Sequence, residues 1–320
     1  MTDPTWGIVS TIKAPAKDIL TFAAHHLDLG AHRVHIYLDA ANDAARDALK
    51  AHPKCRVIVC DDGYWTRRAG RKGRPEKHQQ RQSTNATHCY RRDPQVNWLA
   101  HIDVDEFIIS DSGLSDQLRA LPVDTLSARI RPAEALAPDP DSPPPDGGIY
   151  LKATSRFRKD RAELTEQIFP TYGAHLNGGF LSHVAGKIFV RTGHDKISLR
   201  IHNAFREGVM DANPAELPDT LLAHLHAPSW DDFLASYRFR MAQGSYRSEL
   251  KPAWGDQGLN MHALFSMLEA DGGEPALRAF FDEVCIATPA LRARLSDHGL
   301  LRLITLDAQA KLARHFPDFA

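Results

Sequence analysis

The sequence predicts an α/β fold: a mostly parallel central sheet flanked by helices, with a helical C-terminal region. Three observations carry the prediction. Strand-like and helix-like patterns alternate from the start of the chain, and one fully apolar strand ends in a group of carboxylates. The chain has 320 residues, enough to bury a large core, yet no apolar run approaches the ~18 residues of a membrane span.

The elements follow in order. Gly7-Ile-Val-Ser-Thr-Ile-Lys13 reads as a first strand. Residues 16–29 read as an amphipathic helix, because Phe22, Ala23, His26 and Leu27 fall near helical spacing and Gly30 is a natural stop. Arg33-Val-His-Ile-Tyr-Leu38 is a second strand ending at Asp39, residues 44–51 a short helix, and Arg56-Val-Ile-Val-Cys60 a third strand ending at Asp61 and Asp62. This alternation predicts parallel strands joined by right-handed crossovers. No Gly-x-Gly-x-x-Gly follows the first strand, which argues against a dinucleotide site. Residues 64–77 carry Arg67, Arg68, Arg71, Lys72, Arg74 and Lys77 among Gly70, Gly73 and Pro75. They read as a basic loop, either a solvated face or a lid over a diphosphate. Residues 77–90 read as a helix with Gln82 and Asn85 on one face.

The centre of the chain is Trp98-Leu-Ala-His-Ile-Asp-Val-Asp-Glu-Phe-Ile-Ile109. Leu99, Ala100, Ile102 and Val104 make a strand buried on both faces, and Asp103, Asp105 and Glu106 stand at its end. Buried carboxylates must be paired or bind a cation, and ligands of open α/β sheets bind at the carboxyl ends of the strands. In a regular strand Asp103 and Asp105 share a face, and Glu106 points away from them. An Asp-x-Asp pair there suits a hard divalent cation that takes its other ligands from substrate phosphates.

Beyond it, residues 115–121 read as a helix and 127–131 as a strand. Residues 133–148, with Pro143-Pro144-Pro145, read as an irregular exposed insertion. Residues 182–191 carry a strand pattern. Phe233, Tyr237 and Met241 form a core stripe on a helix starting at Trp230. Residues 260–270, 276–287 and most of 291–313 read as helices.

The central segment resembles the Asp-x-Asp-Glu-Phe signature of the family 2-like bacterial glycosyltransferases, whose fold is the Rossmann-like GT-A type. The resemblance runs over residues 6–245. Arg81-Gln82-x-x-Asn85 resembles the family's helix before the metal-binding strand, and Gly186, Lys187 and Arg191 match a later strand. His224, Ser229 and Phe233 match a further block, while Lys13-Ala14-Pro15 stands where the family commonly has Lys-Asn-Glu. The resemblance implies a nucleoside-diphosphate-sugar donor, UDP- or GDP-linked, and Mn²⁺ or Mg²⁺ as cofactor. The acceptor would be a glycan or lipid-linked hydroxyl, in assembly of surface polysaccharide or glycolipid. Asp103 and Asp105 would meet nucleotide and metal, with His224 and then His202 as further ligands. Asp39, Arg81, Gln82, Asn85, Asp103 and Lys187 would line the donor. Asp105, Glu106 and Glu166 are the catalytic candidates, and no residue type or spacing picks the general base among Glu106, Glu163 and Glu166. The implied division is a transferase domain over residues 1–245 and a helical extension over 246–320 packed on it.

Composition narrows the alternatives. A net charge of −1 recruits neither nucleic acid nor an anionic surface. Cys55, Cys60, Cys89 and Cys285 lack a Cys-x-x-Cys spacing, and the first residues lack the basic and apolar stretches of a signal peptide. A cytoplasmic protein is expected, soluble or peripheral at the inner membrane. A metal-dependent phosphohydrolase would need further Asp/His motifs, of which only His224-x-His226 is present. A nucleotide-sugar-binding protein without catalysis is the remaining alternative.

Overall fold

A computed structural model describes residues 3–242 and 261–320. By compactness the chain divides into two units. The first comprises Met1–Arg131, Ala185–Leu222 and Asp307–Ala320, and the second Pro132–Val184 and Ala223–Leu306. The expected boundary at 245/246 lies outside the described residues, as does Asn260, where one expected helix begins.

The first unit is built on β1 (Trp6–Ile12), β2 (Arg33–Leu38), β3 (Cys55–Val59) and β4 (Trp98–His101). They run in the order β3-β2-β1-β4, all parallel, as the β-α-β-α-β pattern predicts. Every residue of β1 and β4 is buried, which explains why their sequences are apolar rather than alternating. The next strand, β8 (Lys187–Arg191), is antiparallel to β4 and pairs on its other edge with Ser127–Ile130 of β6 (Ser127–Ala135). β5 (Glu106–Ser110) pairs with β12 (Ala215–His224) off this path. A separate three-stranded sheet is formed by β9 (Ile197–Leu199), β10 (Ala204–Arg206) and β11 (Val209–Met210).

Helix α1 (Ala16–Asp28) buries Ile19, Leu20, Phe22, Ala23 and Leu27 against this sheet. Its two histidines clamp β5 by the backbone. His25 Nε2 donates to Ile108 O at 2.8 Å, and His26 Nε2 accepts the Ile108 N–H at 3.3 Å while its Nδ1 donates to Phe22 O. Helix α2 (Asp43–Ala51) is capped by Asn42, whose side chain accepts the Ala45 N–H. The basic stretch is not a loop throughout. It opens as α3 (Asp62–Ala69), because Asp61 caps the Tyr64 N–H and Tyr64 and Trp65 bury their rings. Helix α4 (His78–Arg91) follows. α5 (Leu114–Ala120) comes next in chain order, and α10 (Ala308–His315) brings Leu312 into the core that Phe22 occupies.

The second unit pairs the end of β6 with β7 (Gly148–Lys152), and β7 with β13 (Leu301–Thr305), all antiparallel. It holds α6 (Arg158–Ile168), α7 (Trp230–Ala242), α8 (Met261–Val284) and α9 (Pro289–Asp297). Phe233, Tyr237, Phe265, Phe280 and Phe281 interlock as its core. α8 turns at Gly273, where φ is +61°, with Pro275 two residues on. The expected tail helix over 291–313 is broken by β13. Leu301-Arg-Leu-Ile-Thr305 is too short for leucine spacing alone to separate strand from helix. The expected insertion at 133–148 likewise begins as strand, since β6 runs on to Ala135. Among the described residues no helix is long and apolar enough to cross a membrane.

Candidate active site

The site of the first unit lies where β4 stops. Ile102 still donates its N–H to Val9 O, and the chain then turns at Val104 and Asp105 before β5 begins at Glu106. The turn overrides strand alternation. Glu106 does not point away: its Oε2 accepts the Asp103 N–H at 2.8 Å. β8 supplies the counter-charge, because its first residue, Lys187, is fully buried with Nζ 2.6 Å from Asp103 Oδ2 and 2.9 Å from Glu106 Oε2. Gly186, just before it, takes φ +69°, a conformation that favours glycine. The other Asp103 oxygen, Oδ1, accepts a short hydrogen bond from the Gln82 side chain of α4.

Electrostatics follow from this packing. Burial pushes the Asp103 carboxyl up, but the ammonium of Lys187 more than offsets it and holds the group well below the usual carboxylate range. Burial lowers Lys187, and Asp103 with Glu106 raises it above the normal lysine value. Asp103 and Lys187 are therefore both ionised at neutral pH, and the same ammonium also meets the Glu106 carboxyl group.

A second charged group stands at the end of β2. Asp39 is buried, with Arg81 Nε 2.8 Å from its Oδ2 and Arg74 3.0 Å from its Oδ1. Arg81 also donates to Pro75 O and Glu76 O, so it pins the segment after α3 to the strand end. His78, first residue of α4, lies among Asp103, Arg81, Asp39 and Lys187, and burial above all lowers its pKa.

Of the residues the sequence singles out, the structure gathers Asp103, Asp105, Glu106, Gln82 and Lys187 after β4, with Asp39 and Arg81 after β2 at the same carboxyl end of the parallel strands. Asn85 is fully buried, accepting from Tyr64 Oη at 2.6 Å and donating to Thr11 Oγ1, so it braces α4 against β1. His202 places Nδ1 3.0 Å from Gly186 O, which makes that nitrogen the donor and leaves Nε2 with its lone pair. Burial above all lowers the His202 pKa to about 4, so the ring is neutral. Glu166 and His224 belong to the second unit. Glu166 is exposed on α6, as is Glu163. His224 is buried at the end of β12, its Nδ1 3.3 Å from Ser182 Oγ. Arg74 and His78 were not singled out as site residues. Arg74 sits inside a charge run, and an isolated histidine at a helix start gives no spacing signal.

Comparison with known proteins gives a family and weak structural likenesses. The model of glycosyltransferase family 92 matches residues 9–239. Among curated proteins none matches. Among solved structures, the galactosyltransferase LgtC in complex with donor and acceptor sugar analogs is 12% identical, with TM-score 0.28, over 58% of this chain and 57% of that one. The chain thus spans little more than half of that enzyme's length. HddC from Yersinia pseudotuberculosis is 11% identical, with TM-score 0.35, over 74% and 99%. Mannose-1-phosphate geranyltransferase from Thermus thermophilus is 8% identical, with TM-score 0.26, over 92% and 68%. The family model matches well over half of the residues and agrees with the motif resemblance at the level of glycosyl transfer, although the resemblance was to family 2-like enzymes. The chain belongs to glycosyltransferase family 92.

Proposed function

We propose that the protein transfers a sugar from a nucleoside-diphosphate-sugar donor, UDP- or GDP-linked, to a hydroxyl of a glycan or lipid-linked acceptor, with Mn²⁺ or Mg²⁺ at the end of β4. The observation that carries this reading is the carboxylate-rich turn after β4, held in shape by one buried lysine.

The residues fit a divalent cation in a specific way. Both oxygens of Asp103 already accept strong hydrogen bonds, and a lysine ammonium touches one of them. A second cation on Asp103 would face that ammonium directly. Asp105 is half-buried in the turn itself, and a Mg²⁺-type ion commonly needs only one or two protein carboxylates besides substrate phosphates. Asp105 would hold the ion, and Asp103 would orient the turn and meet the nucleotide. When bound, such an ion offsets the charge that develops on the departing diphosphate, so that group leaves without a proton.

The chain's own groups do the rest. Lys187 keeps Asp103 ionised and fixed. Glu106 is 1% exposed and holds the backbone at Asp103, a positioning role rather than contact with an acceptor hydroxyl. The guanidiniums of Arg74 and Arg81 set positive charge beside Asp39, suited to a diphosphate.

The test is thermal unfolding with a panel of nucleoside diphosphates, with and without Mn²⁺, on wild type and Asp105→Asn. Ligand at a hundredfold over its Kd stabilises the native state by about 2.7 kcal/mol. The expected result is a rise in melting temperature that needs both metal and one nucleotide and vanishes in Asp105→Asn. That variant should also lose on the order of a hundredfold in turnover, the scale of removing one group that stabilises transition-state charge. A shift with metal alone, unchanged in the variant, would refute the assignment of Asp105.

A further inference from the structure

The first unit holds a groove of about 1010 Å³ along the outer face of α4. On one side it is walled by helix residues three and four apart, Gln80, Ser83, Thr84, Thr87 and Arg91. The opposite wall is the stretch from β9 to β10, including Arg200, His202 and Asn203. Arg68 of α3 and Arg92, just past the end of α4, also line it. We propose that this groove is a subsite for an acidic oligosaccharide, the chain of an acceptor whose end is delivered to the Asp103 turn; the assignment as acceptor rests on the transferase reading above.

Charge is the first observation. Four arginines line the groove, and among the described residues no aspartate or glutamate does. None of the four forms an ion pair with a carboxylate among the described residues. Two of the stems are nonetheless fixed. Arg91 Nε donates to Ile197 O, and the Arg200 guanidinium lies 5.5 Å from the centroid of Phe205. In a protein of net charge −1 this is a local concentration of positive charge, not a global field. His88, on the floor, reports it: burial, then Arg68 and Arg92, holds its imidazole neutral, with the pKa lowered to about 4. Its Nε2 is buried without a hydrogen-bond partner among the described residues.

Shape and polarity narrow the ligand. From Gln79 to Arg92 the helix runs about 20 Å, at 1.5 Å per residue. That is too long for one small anion and matches a chain of several sugar rings. Gln79, Gln80, Ser83 and Asn203 offer the amides and hydroxyls that bind polyhydroxylated ligands. Single-stranded nucleic acid would want a row of aromatic platforms, and among the described residues Phe205, faced by Arg200, is the one Phe, Tyr or Trp that lines the groove. The groove also borders the site. His202 on its wall donates to Gly186 O at 3.0 Å, one residue before Lys187, whose ammonium holds Asp103.

The test uses the whole protein and three probes in calorimetric titration: a hexamer of galacturonic acid, a neutral glucose hexamer, and inorganic phosphate. The acidic hexamer should bind, more weakly as salt rises, and the neutral one should not. In Arg91→Gln/Arg200→Gln, affinity for the acidic hexamer should fall about tenfold or more, the scale of two lost charged hydrogen bonds. The nucleoside-diphosphate shift with Mn²⁺ should be unchanged in that variant, which also reports that it is folded. No binding of the acidic hexamer, equal binding by the double variant, or phosphate binding as tightly as the hexamer would each overturn the proposal. Failure of the nucleotide shift in wild type would instead remove the transferase reading while leaving the groove's measured specificity intact.

Discussion

Replacing Lys187 with methionine lowers stability at pH 7 by about 3–5 kcal/mol, the usual loss when one partner of a buried ion pair is removed. The reason is specific to this trio. Asp103 and Glu106 both touch the same nitrogen, at 2.6 and 2.9 Å, and methionine leaves two carboxylates facing each other without a cation. The size of the loss then depends on pH. In wild type the Asp103 carboxyl is held below its unfolded value of 3.8, so its share of stability is present above that pH and is lost as pH falls through the native value. The share of Lys187 is present below 10.5 and is lost only as pH rises beyond it. In the variant one carboxylate must take up a proton that the unfolded chain does not hold, so the gap in stability between variant and wild type narrows as pH falls from 7 towards 4. Denaturant unfolding at several pH values measures both. Lys187→Met/Glu106→Gln should recover part of the loss, because the pair is coupled. A loss under 1 kcal/mol at pH 7 that stays the same at lower pH would mean that the lysine is not the counter-ion of this turn.

The second large effect is acid unfolding governed by histidines. His25, His26, His88 and His101 are each at most 6% exposed. Burial above all lowers them from 6.5, to about 4 for His25 and His88, to about 3 for His101, and well below 6.5 for His26. A depressed histidine contributes its stability above the unfolded value of 6.5 and loses it as pH falls towards the native value. At pH 5 His25, His88 and His101 each oppose the native state by about 2 kcal/mol, from 1.36 kcal/mol per pH unit. These three amount to about 6 kcal/mol, comparable with the whole stability of a domain, and His26 acts in the same direction. The structure shows what is lost: protonated His26 can no longer accept the Ile108 N–H, and the clamp on β5 opens. Unfolding monitored by circular dichroism should therefore have its acid midpoint between pH 6.5 and 4, above the range in which Asp103 titrates. A midpoint below pH 4 would contradict the neutral, buried state of these rings.

Much was legible in the sequence because it is set locally. Apolar strands, amphipathic helix periodicity and the β-α-β-α-β order named the parallel sheet before any contact was known, and the buried strand 98–102 followed by acids marked the strand end where the site lies. Where signals were short or mixed, they misled. Leu301–Thr305 is a strand because β7 offers it an edge, and Asp62–Ala69 is helical because two aromatic rings find a core; neither partner is visible in a local window. The same holds for charge. Residue types could place Asp103, Asp105 and Glu106 together, but spacing aimed Glu106 the wrong way, because a turn at 104–105 resets the alternation. That Asp39 is paired with Arg74 and Arg81, and that Lys187 lies between two carboxylates 84 and 81 residues away in sequence, depends on contacts between distant segments. The sequence by itself determined which groups carry charge and which strands are buried, since both are properties of single residues and their near neighbours. Only the tertiary structure decided which charges meet, because desolvation and pairing act through distance in space.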